Sequence, residues 1–314
     1  MFFYSIYGTT LCSEVFFPEL KPVLPTKLRP VVTLLKCKSP LPGWPSSKDA
    51  WKPFDGYEYA FSARRDRTYL RTAGAGNFLI RFHQKTIEWV PSSDRSLESL
   101  GRLLLRGKAI GLLLSSFPST LILHANVLLY RGKGVIFCAS KGQGKSTLTA
   151  ALLSAGFSLL SDDVAVIYRR KNNFFLQPGP PEIRLWPPAL RRFRAAIKKA
   201  HPLYPGAPKK KILLGNNSRW IHWGGTASLE RLYVLSRRTK GPCRIEPLSA
   251  RESFLEVLKH IYMPLLEGQE DQIRQFKIIR RLIEKSPVRR FVFPTGLGQL
   301  DPIAAILRRD IDRG

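Results

Sequence analysis

The segment Gly134–Gly156, GVIFCASKGQGKSTLTAALLSAG, constrains the fold of this chain more than any other. An apolar run long enough for a buried strand feeds a glycine-rich loop. The loop opens directly into a helical pattern that Gly156 ends. Ala139 to Ser146 matches the phosphate-loop pattern, with alanine at the first, usually glycine, position. Each residue type has a physical task. Gly142 and Gly144 let the backbone turn its N–H groups inward around phosphate oxygens, and the helix adds its positive N-terminal end. Lys145 neutralises the outer phosphates, and the Ser146 hydroxyl is the type that meets magnesium. The expected nucleotide-binding set is therefore Ser140, Lys141, Gly142, Gln143, Gly144, Lys145, Ser146 and Thr147.

A second feature follows at once. Asp162 and Asp163 stand adjacent in LLSDDVAV, within a run that reads as one strand from Phe157 to Arg170. Buried neighbouring carboxylates are costly unless a metal or basic groups offset them, so chemistry is expected of them. Neighbours on a strand face opposite ways, which divides the work. One carboxylate takes a proton from an attacking hydroxyl, and the other orients magnesium or a basic group. The residues alone leave open which does which.

LHANVLLYRGKGVIFCASKGQGKSTLTAALLSAGFSLLSDDVAVI, with a later Glu-Ile-Arg, resembles the catalytic domain of the HPr serine kinase/phosphorylases and their kinase-like relatives. The features fall in order: Leu123-His124-Ala125, the phosphate loop, Gly156 to Asp163, and Glu182-Ile183-Arg184. The core motifs span roughly residues 121–188. Leu185 stands where the carbon-regulation enzyme of that family has glycine. The resemblance implies an α/β (α+β) fold: a P-loop kinase domain of the HPr-kinase/phosphoenolpyruvate-carboxykinase type, with a smaller strand-rich N-terminal domain. It implies that one of Asp162 and Asp163 is the general base and the other assists. It implies Glu182 as a further magnesium ligand beside Ser146 and Asp163, with Arg184 and His124 near the phosphates. ATP and Mg²⁺ are the implied cofactors, and an oligomer is the implied assembly.

Elsewhere the chain reads in coarser strokes. Residues 1–60 are strand- and turn-rich, and Phe78–Val90 has the look of a hairpin centred on Gln84–Lys85. Helical spacing runs from Leu97 to Phe117 and stops at Pro118, so a domain boundary is placed between 1–118 and 119–314. LILHANVLLY reads as a strand, and NNFFLQPG and Ser228–Arg238 as further strands. Pro178–Pro188 is too proline-rich for regular structure. SARESFLEVLKHIYMPLL is an amphipathic helix interrupted near Pro264, and Gln272–Lys285 is another. RRFVFP is a strand, and Ile303–Ile311 a terminal helix.

Composition narrows the setting. No apolar run reaches the ~20 residues a membrane span needs; Leu103–Phe117 is broken by Arg106 and Lys108. The N-terminus lacks a basic start and a small-residue cleavage site. Cys12, Cys37, Cys138 and Cys243 show neither zinc spacing nor a disulfide framework. These features point to a cytoplasmic protein with no membrane partner. The charge is lopsided: 51 Lys and Arg against 23 Asp and Glu, net +28. Between Glu182 and Glu230 there is no acidic residue, and ten basic ones occupy that window: Arg184, Arg191, Arg192, Arg194, Lys198, Lys199, Lys209, Lys210, Lys211 and Arg219. Such a field draws an acidic partner or a polyanion. With no recognition helix, stacking set or zinc module, nucleic acid is the less favoured partner; the nearby Trp186, Phe193, Tyr204, Trp220 and Trp223 pack or anchor a partner. The leading expectation is a kinase acting on a serine hydroxyl of a protein or peptide. A nucleotide-gated binding protein or ATPase, and a small-molecule kinase, are the alternatives.

Overall fold

The computed structural model describes residues 1–24, 31–38, 40–46, 52–54, 59–64, 66–140, 142–193, 199–215, 218–222, 225–262, 269–294 and 300–313. The chain divides into two compact units. The first comprises Met1–Pro118 with two short later segments, Leu203–Ala207 and Met263–Arg274; the second comprises the rest.

The first unit is built on eight strands: β1 (Phe2–Ile6), β2 (Thr9–Ser13), β3 (Val31–Lys36), β4 (Lys52–Phe54), β5 (Tyr59–Arg64), β6 (Arg67–Thr72), β7 (Gly76–Arg81) and β8 (Thr86–Val90). Their spatial order is β1-β2-β3-β8-β7-β6-β5-β4. The β7–β8 hairpin turns through Lys85, whose φ of 53° sits in the left-handed region. Trp89 stacks on Phe78 and donates its indole N–H to the Ala75 carbonyl, which satisfies the ring's polar edge in the core. The expected helix of 97–117 is helical throughout but not uniform. α1 (Glu98–Leu104) and α2 (Ile110–Ser115) flank a wider π turn over Leu105–Ala109. That turn carries Arg106, which is buried 3.9 Å from the equally buried Glu19. A single π turn set within an α-helix is a rare departure from α geometry.

Among the described residues, the second unit has nine strands in one sheet. They are β9 (Thr120–Leu123), β10 (Ala125–Tyr130), β11 (Lys133–Cys138), β12 (Ser158–Ser161), β13 (Ala165–Arg170), β14 (Asn173–Leu176), β18 (Ala227–Arg238), β19 (Arg244–Pro247) and β20 (Val288–Pro294). A smaller sheet joins β15 (Glu182–Leu185), β17 (Lys210–Leu213) and β16 (His201–Pro202). Among the described residues its helices are α3 (Lys145–Ser154), α4 (Pro187–Arg192), α5 (Ala250–Lys259), α6 (Gln269–Lys285), which belongs to this unit from Gln275 onward, and α7 (Leu300–Asp312). The centre is parallel, β11 to β18 to β20, and the flanks are antiparallel.

Strand alternation explains how both faces are covered. Val135 and Phe137 of β11 and Tyr233 and Leu235 of β18 pack with Leu148 of α3 and Ile303 and Leu307 of α7. Ile136, Cys138, Leu232 and Val234 point the other way, onto Val257 of α5 and Ile279 and Leu282 of α6. Strands buried on both faces read as unbroken apolar runs, which is why the β11 sequence does not alternate. Among the described residues, no helix is long and apolar enough to cross a membrane.

Four sequence readings need correction. LILHANVLLY is two strands, not one: β9 pairs β13, β10 pairs β11 and β12, and His124 lies at the break. FSLLSDDVAVIYRR also breaks, so that Asp162 and Asp163 sit in a bend between β12 and β13 rather than along a strand. The proline-rich stretch does contain regular structure. The prolines flank β15, and Pro187 and Pro188 occupy the first turn of α4, where a missing N–H costs nothing. The helix beginning at Ser249 also ends earlier than expected, at Lys259, and Tyr262 then bonds back to β9 through its N–H on the Ile122 carbonyl.

A polar knot fastens α7 to the sheet. The Asp310 carboxylate takes the Tyr233 hydroxyl proton donor at 2.5 Å, lies 3.3 Å from Arg231 Nε, and pairs with Arg289. Arg231 is buried and also donates twice to the Asp310 carbonyl. Removing the carboxylate strands a buried guanidinium, so Asp310→Ala is expected to cost about 3–5 kcal/mol in urea or thermal unfolding. A change below about 1 kcal/mol would show that the knot is not holding the helix.

Candidate functional site

The site is assembled in the second unit from three short pieces of chain. The first is the loop after β11. Gly142 and Gly144 have φ of 87° and 84°, a backbone that side chains rarely adopt. A Cβ added at either would meet nothing within 4 Å. The glycines are thus needed for the turn, and the space in front of the loop is open. α3 begins at Lys145 with no acidic residue in its first turn, so the N–H groups there are unopposed. Gln143 pins the loop: its side-chain oxygen accepts the Arg237 N–H at 3.1 Å, at the end of β18. Ser140 is exposed, and Ser146 and Thr147 are half-buried on the first helical turn. Lys141 lies outside the described residues.

Lys145 points back toward the sheet and donates to the His124 carbonyl at 3.5 Å. Burial pushes its ammonium pKa down, and the two aspartates pull it back up. His124 is fixed by its own backbone: its N–H donates to the His260 carbonyl at 2.8 Å. Its ring stacks with Tyr262, centroids 6.2 Å apart at 15°. The buried His260 is held below its ordinary value by burial and by the charge of Lys145.

The second piece is the aspartate bend. Asp163 has φ of 73°, in the left-handed region unusual for a residue with a side chain. The Ser161 hydroxyl donates to the Val164 carbonyl at 2.6 Å across the bend. The two carboxyls have different surroundings. Asp162 is 6% exposed, and its Oδ2 accepts the Arg184 N–H at 2.9 Å. Burial and the neighbouring Asp163 charge push it up to about 6. The Asp163 side chain is 28% exposed, with Oδ2 accepting from the Arg184 guanidinium at 3.0 Å and Oδ1 3.5 Å from His124 Nδ1. Burial opposes its ionisation, but His124, Arg184 and Lys145 outweigh that and hold it well below the carboxylate range.

The third piece is β15. The Glu182 carboxylate is buried, and its Oε1 accepts from Arg184 Nε at 2.9 Å. Arg184 therefore bridges Glu182 and Asp163 and touches Asp162 through its backbone. Its guanidinium loses solvation by burial but is held firmly protonated by the three carboxylates.

Of the residues expected from sequence, His124, Lys145, Asp162, Asp163, Glu182 and Arg184 meet here. Four others were not singled out. Asn126 is a buried amide that reaches Asp163, and His260 and Tyr262 were hidden in a presumed helix. Lys209 appeared only as one member of a basic run; its charge acts on Asp162, Asp163 and Lys145, and its ammonium lies 5.6 Å from the Trp186 ring centroid. The signal for Asn126 was one amide in an apolar strand.

Among the described residues, no cluster of three His, Cys, Asp or Glu side chains could hold a metal by itself. The Ser146 hydroxyl and the Asp163 carboxylate are hard oxygen donors that suit magnesium. That ion uses one or two carboxylates when substrate phosphates and water complete its shell. Glu182, expected as a further ligand, meets the Arg184 guanidinium.

No family model matches the chain, and no curated protein matches its sequence. Among solved structures, the HPr(Ser) kinase/phosphatase from Coxiella burnetii aligns with a TM-score of 0.35 and 16% identity, covering 61% of this chain and 97% of that one.

The site carries a stability signature of its own. The Asp162 carboxyl binds its proton more tightly folded, at about 6, than unfolded, near the ordinary 3.8. Folding stability should therefore fall as pH rises from about 4 to about 6, because burying the charged form is penalised. Asp162→Asn keeps an acceptor for the Arg184 N–H and removes that charge. It is expected to be more stable than wild type at pH 7, on the order of 1–3 kcal/mol, and to lose this pH dependence in unfolding titrations. An Asn variant that is less stable at pH 7 would contradict the assignment.

Proposed function

We propose that this chain is an ATP- and magnesium-dependent kinase that transfers the γ-phosphoryl group to a serine hydroxyl on a protein or peptide. The observation that carries the proposal is the pair of adjacent carboxyls with opposed environments, set beside Lys145 of an open phosphate loop. Two titratable groups pushed apart in this way take different roles.

Asp162 is the base. A carboxyl raised toward neutrality is ionised at pH 7 yet still basic enough to take the hydroxyl proton as the phosphoryl group arrives. Asp163 stays charged throughout. It orients Arg184 and His124 and, with Ser146, would hold magnesium. Magnesium, when bound, neutralises charge on the β- and γ-phosphate oxygens. Lys145 and the first-turn N–H groups of α3 receive the phosphates. Arg184 stands ready to stabilise charge on the group in flight.

The acceptor is acidic around its serine. This reading is supported by the absence of any acidic residue between Glu182 and Glu230 and by the position of Lys209 at the carboxylate pair. Trp186 beside it is 45% exposed and offers an apolar contact. Among the described residues of the basic window, Arg191, Lys199 and Arg219 are exposed; Arg194, Lys198 and Trp223 lie outside the described residues. Phe193 and Trp220, by contrast, are core residues.

The test is incubation with γ-labelled ATP, magnesium and serine peptides flanked by acidic, neutral or basic residues. Label is expected on serine in the acidic peptides first. The wild-type rate should rise with pH through about 6, since Asp162 must be ionised. Asp162→Asn should lower the rate about 10²–10⁴-fold with nucleotide binding retained. Lys209→Glu should raise KM for acidic peptides more than for neutral ones. ADP release with no labelled hydroxyl, or full transfer by Asp162→Asn, would overturn the reading.

A further inference from the structure

Asn126 is the second residue of β10 and has no solvent exposure. A buried amide in an apolar strand is costly unless both its ends are satisfied. Here both are. Nδ2 donates to Thr149 Oγ1 at 2.8 Å, and Oδ1 accepts the Asp163 backbone N–H at 3.1 Å. The orientation is forced, because a backbone N–H can only donate and must meet the oxygen.

The two partners belong to the two halves of the site. Thr149 is buried in α3 four residues after Lys145, about one turn further along the same helix face. Asp163 is the residue in the left-handed region, a conformation that costs roughly 1–2 kcal/mol for a residue with a Cβ and persists only where surroundings hold it. Its backbone N–H is what Asn126 holds. An extended φ at Asp163 would swing its carboxylate away from Arg184 and His124.

We propose that Asn126 is a positioning residue: its side-chain amide sets the place of the aspartate bend relative to the helix that carries Lys145 and Ser146. The tether is a matter of geometry alone; its effect on rate rests on the kinase reading above. A one-ångström displacement between phosphate cradle and carboxylates leaves nucleotide binding almost untouched and impairs transfer. The effect therefore belongs in kcat rather than in KM for nucleotide.

Two variants separate this role from general stability. Asn126→Leu removes both hydrogen bonds at similar volume, and Thr149→Val removes one at nearly constant shape. Should the leucine variant not fold, the valine variant carries the test. The first measurement needs no activity: hydrogen exchange of the Asp163 amide by NMR. It is expected to speed up more than about tenfold in Asn126→Leu, and measurably in Thr149→Val, while amides of β11 and β18 keep wild-type protection. The second is steady-state transfer, with kcat expected to fall up to about 10²-fold and nucleotide KM to stay within about threefold. Unchanged Asp163 exchange in the folded variants overturns the tether, whether or not the protein is a kinase. Faster exchange with wild-type kcat overturns its catalytic consequence. A wild type that transfers no phosphate overturns the kinase reading instead, and the exchange result then decides the tether alone.

Discussion

The guanidinium of Arg184 is the contact on which the site depends. It is 14% exposed, and it donates to Glu182 Oε1 at 2.9 Å and to Asp163 Oδ2 at 3.0 Å. Three carboxyls within one small volume repel one another, and the fixed Arg184 cation, with the Lys145 and His124 charges beside Asp163, offsets that repulsion. Its placement is asymmetric: the charged fork donates to Asp163 and Glu182, while the Asp162 carboxylate accepts the Arg184 backbone N–H. That asymmetry, with burial of Asp162 and the His124 and Lys145 charges beside Asp163, drives two neighbouring carboxyls apart in acidity. Neither residue's sequence position distinguishes it from the other; the surroundings the fold gives each one do.

The framework around that arginine is arranged to keep it still. β15 is paired to β17, with Arg184 opposite Lys211, and the aspartate bend is held by Asn126 and by Ser161. The phosphate loop is tied at its tip through Gln143 to β18, the strand that also sits at the centre of the sheet. Loop, bend and β15 thus each connect to rigid strands, which is what transfer chemistry requires when positioning and electrostatics supply the catalysis. The basic window divides along similar lines. Arg184 lies within the carboxylate cluster, Lys209 acts on the aspartate pair, and Arg191, Lys199 and Arg219 are exposed.

Much of this was legible in the sequence, for identifiable reasons. The strand–loop–helix of residues 134–156 showed because its local signals agree: an apolar run, paired glycines, a lysine, and a helical pattern closed by Gly156. The amphipathic α6 and the β7–β8 hairpin were visible by their periods. The aspartate bend was not. LLSDDVAV has no glycine or proline to mark a break, and the left-handed φ at Asp163 is enforced by a hydrogen bond from a strand 37 positions earlier. β15 was hidden by prolines that turned out to flank a strand rather than exclude one. His260 and Tyr262 were absorbed into a helix that Lys259 ends, so their place beside His124 required the fold. The π turn at Arg106 likewise answers to a partner, Glu19, far away in sequence.

Burial of Asp162 and the His124, Arg184 and Lys145 charges around Asp163 separate the two adjacent carboxyls into a poised group and a charged, fixed one. Carbon-13 NMR titration of the Asp162 and Asp163 side chains in the intact protein tests it directly. The account predicts that Asp162 titrates near 6, with Asp163 remaining ionised to far lower pH. Two carboxyls titrating together near the ordinary value of 3.8, or Asp163 as the group with the higher value, would contradict it.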